Sequence, residues 1–239
     1  MAIVVESTHG FNSNGTTATT HTMTGVTSAN SNRCLAGGVA IGSRSTTLTS
    51  LVRGGTETFN IRNDIAAVGA GENVRTYILD FVEPATSAAD VVATISSSRR
   101  VGMALFSMSG VNQTTPSGTP KEASTSNGNV TSASLDVDSD SDDLVIDCLG
   151  TLGDATAHVI GSGQGNEIDA ESDSDFTSRV DLFGSTEAHS GGSTTTMSWT
   201  WTTATSYAHE GMAIKEVAVG AVSIPVAMHE YRQRHQSLV

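Results

Sequence analysis

The residues whose types and spacing can do chemistry are few, and each stands in a stretch that also has a structural reading. Asp136, Asp138, Asp140 and Asp142 place carboxylates at alternate positions, and a turn of alternating Asp can gather the several oxygen ligands that a hard cation wants. Measured against a calcium loop, the sixth position is Ser141 where the sharp bend needs Gly. The twelfth is Asp147 rather than Glu, and no helix is expected on either side. Asp136 and Asp138 also share a face of the expected strand. A charge-guarded strand edge is therefore the reading adopted, because charge on an edge discourages aggregation. Calcium is the alternative, and no other metal and no cofactor is expected.

Met197, Trp199 and Trp201 alternate with Ser198, Thr200 and Thr202, so a period of two puts both indoles on one face. Exposed, Trp199 and Trp201 would form a platform for glycan contact. Buried, they are core, with hydroxyls outside, and that is the expectation here. Gly161-Ser162-Gly163-Gln164-Gly165 looks like a phosphate loop but lacks the third Gly at the required offset, the Lys and a following helix. His209-Glu210 reads as a structural hydrogen-bonding pair. There is no Gly-x-Ser-x-Gly, His-Glu-x-x-His, Cys-x-x-Cys or P-loop spacing, and the chain is not expected to be an enzyme, although groups distant in sequence can still meet in a fold.

These residues need a scaffold, and the composition says which kind. Of 239 residues 15% are charged and 5% aromatic, and Ser, Thr, Gly, Ala and Val fill most of the rest. Small and β-branched residues suit pleated strands joined by tight turns. Strands are expected at Thr17 to Val26, Arg33 to Ile41, Thr46 to Val52, Glu57 to Arg62, Val74 to Val82, Asp90 to Ser96, Gly102 to Ser109 and Val130 to Val137. They continue at Asp143 to Leu149, Ala155 to Ile160, Thr194 to Thr202 and His209 to Val217. Gly54-Gly55 marks a hairpin turn, and the polar, acidic segment Gly161 to Asp181 reads as a long surface loop. The expected fold is all-β, an antiparallel β-sandwich of jelly-roll or Ig-like type over residues 1–217, followed by a C-terminal arm over 218–239. In that arm His229, Tyr231, Arg232, Arg234 and His235 form a basic patch suited to contact with a neighbour.

The net charge of −13 is concentrated. From Asp136 to Glu187 there are fourteen acidic residues and one basic residue, Arg179. Such a surface repels phosphate backbones and anionic lipid, so neither nucleic acid nor membrane is expected as a partner. Cys34 and Cys148 each lie in an apolar run and are expected as buried free thiols. No window reaches the length of a membrane span, and the first residues, Met1-Ala2-Ile3-Val4-Val5-Glu6, do not read as a signal peptide.

Several blocks together resemble a known domain. Asn32-Arg33-Cys34-Leu35-Ala36-Gly37-Gly38-Val39-Ala40-Ile41, then Val74-Arg75-Thr76-Tyr77-Ile78-Leu79 leading to Pro84, then Ser107-Met108-Ser109-Gly110-Val111-Asn112-Gln113-Thr114-Thr115-Pro116 are similar to a β-sandwich domain of phage structural proteins and bacterial surface proteins. Asp142-Asp143-Leu144-Val145-Ile146-Asp147, Met197-Ser198-Trp199 and Gly211-Met212-Ala213-Ile214-Lys215 continue the order, so the likeness covers about Asn32 to Val217. It implies a display or adhesion module without a shared active site. The expected role is a virion component: a capsid decoration or cement protein, or a head–tail accessory protein, contacting other virion or capsid proteins and its own copies as a homo-oligomer. A carbohydrate-binding or adhesion module of a tail fibre or surface protein is the alternative. In such domains the Ser-Gly-Val-Asn-Gln block ends a core strand, with Gly110 permitting a turn and Asn112 and Gln113 satisfying loose backbone groups. The acidic run and the basic arm are departures from the pattern.

Overall fold

Successive side chains of a strand point to opposite faces, so a sheet covered on one side alternates in polarity and a sheet covered on both sides reads as continuously apolar or small. Both patterns occur in this chain. The computed structural model describes residues 2–13, 15–28, 31–67, 74–125, 130–152, 157–171, 180–189 and 191–217, and every element in them is an antiparallel strand. The first nine are β1 (Val4–Asn12), β2 (Ala18–Val26), β3 (Cys34–Ile41), β4 (Leu48–Arg53), β5 (Glu57–Thr58), β6 (Asn60–Ala66), β7 (Arg75–Val82), β8 (Ala89–Arg99) and β9 (Val101–Ser109). The remaining seven are β10 (Lys121–Ser124), β11 (Val130–Asp138), β12 (Leu144–Leu152), β13 (Val159–Ile160), β14 (Gly165–Ala170), β15 (Val180–Ala188) and β16 (Thr194–Ile214).

These strands form four stacked layers. One large sheet runs β1-β9-β3-β7-β6 and is covered on its outer side by the smaller sheet β2-β8-β4-β5. A second large sheet runs β10-β16-β12-β15-β14, and its outer side is covered by β11 and β13 paired to the first part of β16. The two large sheets then pack on each other through a third apolar layer that includes Cys34, Ala36, Phe106, Ile146, Cys148 and Met212. Strands β3, β9, β12 and β15 therefore face protein on both sides, which is why CLAGGVAI is apolar and small throughout and LVIDCLG is so apart from Asp147, neither alternating. The outer strands β2 and β11 alternate, burying His21 and Met23, and Ala133, Leu135 and Val137.

The chain passes twice through one topology. The strand orders of the two large sheets correspond term by term, with β1, β9, β3, β7 and β6 matched by β10, the second part of β16, β12, β15 and β14. The irregularities correspond as well. Pairing of β2 with β8 slips between Ala18 (opposite Arg99) and Thr20 (opposite Thr94), and pairing of β11 with β16 slips identically between Val130 (opposite Thr205) and Ser132 (opposite Thr200). A bulge between Ile61 and Asn63 in β6 has its counterpart between Gly165 and Ile168 in β14. Asn32 and Asp142, each two residues before its strand, both have positive φ. The amide of Glu83 donates to the Arg33 carbonyl, and that of His189 to the Asp143 carbonyl, at corresponding places.

The body expected over 1–217 is thus built as two sandwiches of one topology, related by a pseudo-two-fold axis. β3 lies on β12, β9 on β15 and β7 on β16, while β1 lies on β14 and β6 on β10, so each contact is mirrored by its exchange partner. On the axis itself two corresponding residues meet: a Cβ added to Gly38 would stand 2.6 Å from the Cys148 sulfur. The cysteine of one sandwich fills the space that the glycine of the other leaves.

The expected all-β fold and most strand positions are found, with several differences: one sandwich is expected and two are present, β1 and β10 are additional strands, and of Ala155 to Ile160 only Val159–Ile160 is a strand among the described residues. Gly161 to Asp181, expected as a loop, contains β14 and the first residues of β15. Strand β14 buries only Ile168 and Ala170, and its alternation is interrupted at Asn166, which has positive φ beside the bulge. Thr194 to Thr202 and His209 to Val217, expected as two strands, belong largely to the single strand β16, which stays hydrogen-bonded while it crosses from the outer layer to the large sheet.

Candidate functional site

The densest polar chemistry of the described residues lies inside the second sandwich, around Asp147. Alternation along β12 turns this carboxyl to the outer side of the large sheet, where β15 supplies Ser185 and β16 supplies both Trp199 and His209. Asp147 Oδ1 accepts from the Ser185 amide at 2.8 Å and from Ser185 Oγ at 2.7 Å; Oδ2 accepts from Trp199 Nε1 at 2.7 Å and from His209 Nε2 at 2.8 Å. A carboxylate has about four lone-pair sites, so this one is saturated. All four residues are fully buried. Gln164 extends the network outward, donating from Nε2 to Ser185 Oγ at 2.5 Å while its Oε1 accepts from the amides of Gly161 and Ser198.

Asp, His and Ser thus surround one point, but the proton of Ser185 goes to the carboxyl and not to His209. The arrangement holds layers together. Trp199 and Ser198 belong to the outer layer, Asp147, Ser185 and His209 to the large sheet, and each hydrogen bond across them is made in a low-dielectric interior, where it is strong and its loss is costly. The Gly-rich segment that looked like a phosphate loop has its turn closed inward by Gln164. His209 and Glu210, expected to bond each other, do not: as strand neighbours they point to opposite faces, His209 to Asp147 and Glu210 into the layer between the sandwiches. Burial first, and then the charge of Asp147, pushes the Glu187 carboxyl above its ordinary range at the outer end of this row.

Aromatic packing completes the outer layer. Trp199 is fully buried and Trp201 is 4% exposed, with Trp201 Nε1 donating to the Val130 carbonyl at 2.7 Å. Phe183, His158 and Tyr207 pack around them, the His158 ring stacked on Phe183 at 3.6 Å. The core reading of Met197, Trp199 and Trp201 holds, and as possible glycan contacts Trp199 and Trp201 are corrected: their faces are covered by protein.

The acidic run occupies an edge, as its alternation indicates. Asp136 and Asp138 point outward from β11, which among the described residues pairs only with β16. Three carboxylates of the run, Asp138, Asp140 and Asp143, are paired with cations of the chain itself. Both lysines of the protein reach this run: Lys121 Nζ lies 2.8 Å from Asp138, and Lys215 Nζ lies 2.9 Å from Asp140 and 2.7 Å from Asp143. Asp136 accepts from Thr196 Oγ1 at 2.6 Å. Burial works against the Lys215 ammonium, but its bonds to Asp143 and Asp140 outweigh that and raise its pKa, while Lys215 lowers that of Asp140. Of the calcium candidates Asp136, Asp138, Asp140 and Asp142, the first three are engaged in this way and Asp142 occupies the strained turn. Among the described residues no group of three or more His, Cys, Asp or Glu is placed to hold a metal ion.

The remaining candidates fall into place around this body. Cys34 and Cys148 are free and fully buried in the layer between the sandwiches, and burial raises the pKa of each thiol. Gly110 has positive φ; Asn112 Oδ1 accepts from the amides of Thr114 and Thr115, and Gln113 Nε2 donates to the Val111 carbonyl, the tasks their types implied. His229, Tyr231, Arg232, Arg234 and His235 lie outside the described residues. The network around Asp147 is what the sequence did not disclose, since its members are far apart in the chain and Asp147 stands within an apolar run; an acidic residue interrupting a strand buried on both faces is the one available signal. No protein-family model, curated protein or solved structure matches this chain.

Proposed function

We propose that the protein is a bacteriophage virion structural component, a capsid decoration or cement protein or a head–tail accessory protein, which acts through assembly contacts with other virion proteins and with its own copies. The observation that carries this reading is the four-layer stack. Around Asp147 its interior polar groups bond one another across layers, and its solvent faces are rows of Ser, Thr and Asp on β2, β8, β11 and β16. A body built this way serves as a stiff spacer with a defined surface. The likeness of the Asn32 to Val217 blocks to phage structural domains supports the same role.

The contacts would be made by faces, loops and the arm over 218–239 rather than by strand addition. Several edges are guarded: β11 by Asp136 and Asp138, β6 and β14 by bulges, β1 by a bulge between Val5 and Ser7. Many copies on one particle add avidity, so a weak contact per copy is sufficient. Sedimentation of particles with the full chain and with the chain ended at Val217 tests both parts. The full chain is expected in the particle fraction and the shortened one in the supernatant. A full chain that never sediments with particles overturns the virion role, and a shortened chain that still does overturns the role of the arm.

A further inference from the structure

Glu210 lies in the second part of β16, opposite Glu122 of β10 on one side and Cys148 of β12 on the other. Its same-face neighbours along the strand, Ala208 and Met212, belong to the apolar layer between the two sandwiches, so alternation carries its side chain into that layer. The residue is fully buried, and neither carboxyl oxygen has a hydrogen-bond partner. At the corresponding place in the first sandwich stands Ala104, which is apolar and also buried. A carboxyl here is not demanded by the topology.

The groups facing it come from four strands. β6 brings Asp64, which is paired with Arg75 of β7, and β10 brings Glu122, which accepts from Asn63 of β6. β12 brings the Cys148 thiol, itself raised by burial and by Asp147 and Glu210. The backbone amides of Ile78 and Ile65 favour its charged form and are outweighed. Burial first, then Asp64 and Glu122, pushes the carboxyl up to about 9, so at neutral pH it is an uncharged acid.

We propose that Glu210 is a pH-sensitive latch between the two sandwiches: uncharged, it is tolerated within their apolar contact, and when it ionises in alkali the charge must reach water, which parts the layer where β6 and β7 meet β10 and β16. The folded state holds this proton more tightly than the unfolded chain does. Its contribution to stability is therefore complete below the ordinary carboxyl range and is lost as pH rises through about 9.

Cys34 and Cys148 report the opening, because both are free and lie in the same layer. The intact chain is labelled with an uncharged thiol reagent from neutral to alkaline pH, beside Glu210→Gln, whose rate at each pH removes the thiols' own titration. Each pH unit between the ordinary and the raised carboxyl range is a factor of ten in the opening equilibrium. The wild-type rate divided by the variant rate is thus expected to rise at least about tenfold. A ratio that stays flat overturns the latch. A carbon-13 titration of the Glu carboxyls in the wild-type chain gives a second reading that does not depend on the variant's folding: one carboxyl titrating near 9 supports the latch, and none outside the ordinary range overturns it.

Discussion

The two sandwiches share a path and differ in substance. Residues 1–111 carry seven acidic and seven basic side chains, whereas 112–217 carry seventeen acidic and three basic. Where the second sandwich places Asp147, Trp199, His209 and Ser185, the corresponding places of the first hold Gly37, Ala93, Met103 and Leu79, all apolar and buried. What is common to both is strand order, the slips in pairing, the bulge in the edge strand and the positive φ before β3 and β12. The shared strand order therefore does not require the Asp147 network, and the first sandwich places its buried charges elsewhere, with Arg53 bonded to Glu57 and the Val26 carbonyl and Asp80 bonded to Arg62. The place of the Asp147 network is physically sensible. The first sandwich covers its large sheet with β2, β8, β4 and β5, while the second has β11, part of β16 and the two-residue β13. Large rings and hydrogen bonds to Asp147 hold down a cover that has fewer strands among the described residues.

Substitutions that remove one side of this comparison should separate the sandwiches energetically. The largest effect is expected for Asp147→Ala, which leaves the indole of Trp199, the imidazole of His209 and two donors of Ser185 without their acceptor. A loss of about 4 kcal/mol in urea unfolding is expected, in line with the breaking of a buried polar cluster, and a loss under 1 kcal/mol would show that the network is idle. Next is Gly38→Cys on the pseudo-axis, where the new side chain meets Cys148 and the Tyr77 carbonyl; overpacking should cost about 3 kcal/mol. Adding Cys148→Gly exchanges the two roles and should restore about half of that cost. Simple additivity of the two changes would break the pseudo-two-fold reading.

Smaller effects sharpen the same contrast. Trp199→Phe keeps the ring in the outer layer but removes the donor to Asp147, and about 2 kcal/mol is expected from unfolding curves. The smallest is Lys215→Met. Its bond to the nearly buried Asp143 is partly solvent-screened, so a loss of no more than about 1 kcal/mol is expected, shrinking further in molar salt.

Much of this fold was legible in the sequence, because burial writes itself into periodicity. RCLAGGVAI and DLVIDCLG announce strands without a solvent face, and Met197, Trp199 and Trp201 announce an inner face. What those runs did not disclose is that the covering on both sides comes from two stacked sandwiches, since a strand buried on both faces does not name its neighbours. Strand β15, with Asp181 and Ser185 at buried positions, was hidden in an acidic stretch, and β14 by its bulge. Strands β1 and β10 were not expected: β1 is an edge strand with half-exposed alternation, and β10 has four residues. The network around Asp147 rests on contacts between residues 38 to 62 positions apart, which no local pattern records.

The virion role is tested most directly by quantitative mass spectrometry of gradient-purified particles from cells that make this chain. The expected result is the protein in a fixed, high ratio to the major capsid protein. Its absence from purified particles, with the chain present in the same cells, would contradict the role.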